Sequence, residues 1–558
     1  MARNPPRYDP GSTGVAAATV MAELASAPCS VVAGLVADRV VTAMTATSKV
    51  ANADDDTALA GRDVGPILTS GFSRRHTRFA TSTLALWLIP PLCVMCLMWP
   101  ALWNGYPIVF ADTGTYLSQA MHRYLGWDRP VFYSLFIFPL HLGVTTWPVI
   151  VVQSSLTVLV LDLTRRAFEV SAWWLLALIG FLSVATWLPW TVSELMPDLF
   201  TPLLVLLLSV LVFSASRLRA WQRVAITALA AFMIATQQSS VPLALALLVV
   251  FIASRWITRR SWKAVSRSSR NRTVARYGPG SLLNALAPLL APGLAVAALV
   301  SVNAVGFGRV ALSPYGNVFV LARVIYDGSG MAVLRHDCPD SGWRLCPYLD
   351  RFPPTTDEFL WDKTSPIMLA GGHKAVSADA DAIIRAAVTA DPGHLVAAAW
   401  DNTIEQLTRF ESGDGLQSWD GPAGSWIDQD FPARERSSFH AARQQRGVLL
   451  VPPALAITHR VTALAGIAAA LVLLPIAWRR RHVAAWFLAA ALLALPLSAA
   501  ITGGLSSPHD RYQSRIVWLP AAMAFLSAPA LMRGRRRGAH ERRPPIPTTG
   551  QSPMSRPE

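Results

Sequence analysis

From Thr83 onward, apolar stretches of roughly 17–25 residues recur along the chain, the length a helix needs to cross a bilayer. The pattern predicts ten spans, near 83–103, 148–164, 171–192, 199–215, 223–237, 240–256, 281–303, 456–477, 483–501 and 514–531. Residues 1–80 carry no such stretch. They are rich in Ala, Ser and Thr, hold the acidic run Asp54-Asp55-Asp56, and are expected to form a mostly disordered cytoplasmic tail. Val131 to Trp147 is also apolar, but Pro139, His141 and Gly143 interrupt it, so 131–147 is expected to be an interfacial or re-entrant helix.

The polar interruptions orient this pattern. Arg74, Arg75 and Arg78 precede the first span and place the N-terminus inside. By alternation, Arg165-Arg166, Arg217 with Arg219 and Arg223, the run Arg255 to Arg276, Arg479-Arg480-Arg481 and Arg535-Arg536-Arg537 all fall on that same side. The expected class is therefore an all-α polytopic integral membrane protein of about ten helices with both termini inside. It divides into a tail (1–80), a bundle (81–303) with a first periplasmic loop (104–130), a periplasmic α or α+β domain (304–455), C-terminal membrane helices (456–532) and a basic tail (533–558). Within the outer segment, Ser377 to Phe410 reads as two helices broken at Asp391-Pro392. Val396, Trp400, Ile404, Leu407 and Phe410 form an apolar stripe on the second.

Composition agrees with the pattern. Only 15% of the 558 residues are charged, against about 25% in soluble domains. The net charge of +15 resides in short inner loops, which disfavours a nucleic-acid partner, while residues 304–455 hold 13 Lys and Arg against 18 Asp and Glu.

Candidate chemistry gathers on the outer face. The first loop reads Asn104-Gly-Tyr-Pro-Ile-Val-Phe-Ala-Asp112-Thr-Gly-Thr-Tyr116-Leu-Ser-Gln119 and continues through Arg129-Pro130 to Tyr133. If a helix follows Asp112, then Asp112, Thr115, Gln119 and Arg123 share one face. Asp112 is then a general base for an acceptor hydroxyl, a metal ligand, or simply the N-cap of that helix. Glu194 and Asp198 flank Pro197 at a second outer cap. Arg511 and Arg515, one turn apart in Pro508-His509-Asp510-Arg511-Tyr512-Gln513-Ser514-Arg515, are cations on the wrong side for the charge rule, as a phosphate site requires. A divalent metal at His509 with Asp112, Glu194 or Asp198 is the remaining cofactor alternative. No zinc signature, P-loop or dinucleotide fingerprint is present. Cys338 and Cys346 are placed to form a disulfide if that side is oxidising, whereas Cys93 and Cys96 lie inside a span as packing residues.

With an acid in the first outer loop, many spans and an outer domain, the chain resembles the GT-C superfamily of polytopic membrane glycosyltransferases, which includes protein O-mannosyltransferases and aminoarabinose transferases. The resemblance implies transfer of a sugar from a polyprenyl-phosphate donor to a lipid, glycan or protein acceptor at the periplasmic face of a bacterial inner membrane. It makes Asp112 the catalytic acidic position, with Arg129 and Tyr133 in the same loop. The residues assign phosphate or substrate binding to Arg511, Arg515, Arg129, Tyr116 and Gln119, and supporting or metal roles to Glu194, Asp198 and His509. The chain differs from many relatives in carrying one acid, Asp112, followed by Thr-Gly-Thr-Tyr. A non-enzymatic membrane protein or a transporter of lipid-linked glycans is the competing reading. Its expected sign, ionisable groups in mid-span, is scarce here.

Overall fold

The computed structural model describes residues 72–266 and 286–541. Most of the expected 1–80 tail, Cys29, the end of the basic run after Ser266 and residues 542–558 lie outside them. Among the described residues every regular element is a helix, and the only strand-like pairing is one parallel bridge between Ile108 and Glu194. The α+β alternative for residues 304–455 therefore reduces to α.

The N-terminal half runs through α1 (Phe72–Asn104), α2 (Thr113–His122), α3 (Val131–His141), α4 (Trp147–Ala167), α5 (Trp173–Ala185) and α6 (Leu188–Ser193). It continues with α7 (Phe200–Phe213), α8 (Ala220–Ala235), α9 (Ser240–Ser266) and α10 (Leu290–Phe307). Residues 304–455 contribute α11 (Gly316–Tyr326), α12 (Ser329–Asp337), α13 (Thr356–Trp361), α14 (Pro366–Leu369), α15 (Gly372–Ala390) and α16 (Pro392–Thr408). After α17 (Ser425–Asp430) and α18 (Ala433–Ala441) the chain returns through α19 (Pro453–Arg479), α20 (Ala484–Leu505), α21 (Asp510–Ser514) and α22 (Leu519–Glu541).

Among the described residues, six stretches are long and apolar enough to cross a membrane: Trp87–Asn104, Trp147–Ala167, Ala287–Phe307, Pro453–Arg479, Ala484–Leu505 and Asp510–Met532. The expected spans at 171–192, 199–215, 223–237 and 240–256 coincide with shorter apolar helices. The first of these is divided, because Thr186 adopts an extended conformation that ends α5 before α6 begins. Helix α7 lies at the centre of the bundle, with Phe200 through Val212 all buried, as expected of a helix apolar on every side. Around it, large apolar side chains of α1 and α19 face outward, among them Trp87, Leu92, Ile457, Val461 and Leu471. Such patches are stable against hydrocarbon rather than water. Helix α3 spans eleven residues and stops at the left-handed Leu142, too short to cross.

The segment 304–455 does not pack as one unit. Residues of α11, α12, α13 and α15 enclose their own core around Val318, Leu321, Phe359 and Ile383. By contrast, Ala423, Ile427, Phe431 and Phe439 join the main bundle core. Helices α15 and α16 meet at Asp391, whose side chain caps α16 by accepting from the His394 backbone N–H at 2.9 Å. The stripe along α16 is largely outward: Val396, Trp400 and Ile404 are exposed, and only Leu407 and Phe410 pack on the main core. The opposite, small and polar face of α16 fits against α20, where a Cβ on Gly503 would lie 2.5 Å from the Asn402 carbonyl oxygen.

Candidate functional site

The site begins with an irregular strand of backbone. After α1 the chain turns at Gly105 (φ +85°), a conformation that favours glycine, and runs extended past Ile108. There the Ile108 N–H donates to the Ser193 carbonyl at 2.9 Å, and the Leu195 N–H donates to the Ile108 carbonyl at 2.8 Å. Pro197, at the first turn of a short 3-10 helix, biases Met196 before it toward the extended conformation, which Glu194 also adopts. The first loop and the Glu194–Asp198 cap thus meet.

Gln444, fully buried, fixes the other edge of the loop. Its amide accepts from the Val109 N–H at 3.0 Å and donates to the Val109 carbonyl at 2.7 Å, while its own N–H donates to Asn104 Oδ1 at 2.8 Å. Gly114 completes the closure, since a Cβ there would stand 2.0 Å from the Pro422 carbonyl oxygen.

Asp112 stands immediately before α2 but makes no capping hydrogen bond. Its Oδ1 instead accepts from Arg129 Nη2 at 2.7 Å, and its Oδ2 lies 3.9 Å from Arg511 Nη1. Burial pushes the Asp112 carboxyl up, but the Arg129 and Arg511 charges more than reverse this and hold it below the usual carboxylate range. Glu194 is pushed the opposite way, well above its ordinary value, first by burial and then by Asp198. Arg511 lies over Phe110 with its Cζ 4.1 Å from the ring centre, and over Tyr512 at 5.0 Å. Its backbone N–H donates to Asp414 Oδ2 at 3.0 Å. Arg511 Nη1 is buried and makes no hydrogen bond within the protein.

Several expectations change in this setting. Of the common face proposed for Asp112, Thr115, Gln119 and Arg123, the first three stay in register, since Asp112 is helical and its carbonyl accepts from the Tyr116 N–H, whereas Arg123 ends the helix in the left-handed region. Gln119 accepts from the Gly126 N–H at 2.8 Å and so closes the loop after α2 rather than reaching a ligand with its oxygen. Arg515, 2% exposed, is committed to Asp198 in a buried ion pair, so Arg511 and Arg515 do not act as twin donors. Tyr116 is buried edge-on against Tyr133 at 4.9 Å, and Tyr133 donates to Gln153 Oε1 at 2.6 Å. His509 faces Asp357 at 3.4 Å, and burial lowers its pKa. Among the described residues no three His, Cys, Asp or Glu side chains are grouped to hold a metal ion, which removes geometric support from the metal alternative at Glu194, Asp198 and His509. Cys338 and Cys346 form a disulfide, and Cys93 and Cys96 remain free.

Asp414, Gln444, Phe110 and Trp361 were not among the sequence candidates. Asp414 and Gln444 lie in an irregular stretch without periodicity, so only their three-dimensional placement identifies them. Beside Arg129 lies a shallow crevice of only about 10 Å³, bordered by Val131, Phe132, Leu299, Val302 and Phe307 with Gln238 at its edge. No protein-family model, curated protein or solved structure matches the chain, and the functional assignment rests on its own residues.

Proposed function

We propose that the protein is a polytopic membrane glycosyltransferase of GT-C type. In this reading the ten apolar helices span the membrane with both termini inside, and the segment from about 304 to 455 lies on the outer face. A sugar passes there from a polyprenyl-phosphate carrier to an acceptor hydroxyl. The observation that carries the reading is the pairing of an ionised acid, Asp112, with a guanidinium, Arg511, that reaches it only at 3.9 Å and keeps Nη1 free of hydrogen bonds. A buried guanidinium nitrogen that makes no hydrogen bond is costly unless a ligand supplies the acceptor.

The reaction follows from these placements. The acceptor oxygen forms a bond to the anomeric carbon as the bond from that carbon to the phosphate oxygen breaks. The lipid phosphate leaves with the electron pair, and the hydroxyl proton passes to Asp112. While two guanidinium groups surround it, Asp112 is a weak base. A bound phosphate would draw Arg511 and Arg129 toward itself and raise the basicity of Asp112 when the acceptor needs it. Stabilisation of leaving-group charge by these two cations then supplies most of the catalysis. Asp112→Asn is expected to abolish transfer from a radiolabelled polyprenyl-phosphate sugar in membranes that contain the usual amount of protein. Undiminished transfer by that variant would remove Asp112 from the mechanism.

A further inference from the structure

Helix α13 belongs to the outer segment, yet two independent contacts bring it across the site. Phe359 and Leu360 anchor it in the outer core, and Thr355 caps it by accepting from the Glu358 N–H at 3.2 Å. Asp357 and Trp361, one turn apart, share a face. Asp357 meets His509, two residues before Arg511, at 3.4 Å. At the other end the Arg129 guanidinium lies 5.7 Å from the centre of the Trp361 ring. That guanidinium is the same one that donates to Asp112 at 2.7 Å. One side chain thus separates Trp361 from the acid.

The ring is held firmly. Trp127 packs 5.7 Å from it, and His373 in turn lies 4.0 Å from Trp127. Trp361 nevertheless remains 39% exposed, although His373 and Tyr315 in the same cluster are buried. Its other neighbours Trp127 and Phe319 are half-buried, and Trp361 is the most open of the group. A rigid aromatic face beside an exposed carboxylate suits a ligand with one apolar face and a hydroxylated edge. A sugar ring is such a ligand, because its axial C–H groups meet the electron-rich face of the indole while its hydroxyls reach acceptors at the edge.

We propose that the Asp357–Trp361 face of α13 is the glycosyl subsite, with Trp361 stacking on the sugar of the lipid-linked donor and Asp357 accepting from its hydroxyls. The proposal rests on the glycosyltransferase reading and adds the surface that recognises the sugar, separately from the cations that face the phosphate.

The test uses the full-length protein in lipid nanodiscs. Its affinity is measured for farnesyl phosphate and for a set of farnesyl phosphates carrying different pyranoses and furanoses. The wild type is expected to bind at least one glycosylated ligand about tenfold more tightly than bare farnesyl phosphate, the scale of one aromatic stacking contact. Trp361→Ala should erase that difference while leaving affinity for bare farnesyl phosphate intact. Trp361→Phe should retain part of it, which a loss of folding would not allow, and Asp357→Asn should weaken only the glycosylated ligands. Wild-type binding of bare and glycosylated ligands with equal affinity overturns the subsite and leaves the phosphate reading standing. So does a Trp361→Ala variant that loses both ligands equally or neither. Failure of the wild type to bind any of these ligands overturns the glycosyltransferase reading and the subsite with it.

Discussion

At the scale of single residues, two carboxyl groups near the same arginine have been driven apart. Asp112 is held low by Arg129 and Arg511, and Glu194 is held high by burial and Asp198. Opposed environments of this kind are how one site keeps an ionised acid beside a neutral one. Their effects on stability have opposite signs. Asp112 contributes stability that is present above its unfolded pKa, about 3.9, and is lost as pH falls through the lower folded value. Glu194 binds its proton more tightly when folded, so stability declines as pH rises from about 4.3, the unfolded value, toward the raised folded one. Glu194→Gln should therefore leave melting temperature unchanged or raised at pH 7 to 8 and flatten its decline above about pH 4.3. Thermal unfolding of the purified protein across that pH range checks this, and a steeper decline in the variant would contradict the burial assigned to Glu194. Little of this was legible in the sequence. Asp112 stood out because an acid just outside a span is conspicuous, but its partner Arg511 lies at the far end of the chain. Asp414, which binds the Arg511 backbone, has no neighbours that mark it.

At the scale of elements, periodicity was informative about where helices form and less so about which face is buried. The break at Asp391-Pro392 was readable because proline lacks the N–H that an interior position needs. The stripe of Val396, Trp400 and Ile404 suggested a core-facing side, yet α16 buries its small, polar side against α20. Glycine decides the matter, since Gly503 allows the two backbones to approach. This contact reaches the site, because Gln406 on α16 accepts from the His509 N–H at 2.9 Å and donates to the His509 carbonyl at 2.8 Å. Gly503→Val should force α16 outward, cost about 1–3 kcal/mol by overpacking, and displace the segment that carries Arg511. The expected result is a lower melting temperature together with lost transfer, although no charged residue has changed. Normal activity in a destabilised variant would show that α16 does not position Arg511.

At the scale of the whole molecule, the physical environment is written in the exposed apolar surface of α1 and α19, which only a hydrocarbon solvent makes favourable. Orientation depends on a different record, the placement of charges, because the lengths of helices alone do not tell inside from outside. The Cys338–Cys346 bridge supplies a third, independent marker. Disulfides persist in oxidising compartments and are rare where thiols are kept reduced. The candidate site shares a side with this bridge through continuous structure. Cys338 packs on the separate core that holds Phe359 and Leu360, and the helix carrying those two residues ends at Trp361 beside Arg129. If the site faces outward, both cysteines should be oxidised in intact cells and resist a thiol-reactive mass tag until a reductant is added. Cys93 and Cys96, in α1, provide the free-thiol comparison under denaturing conditions. Immediate labelling of Cys338 and Cys346 without reductant would place the outer segment in a reducing compartment. That result would reverse the topology derived from the arginine clusters and remove the site from the face at which a polyprenyl-phosphate donor is expected.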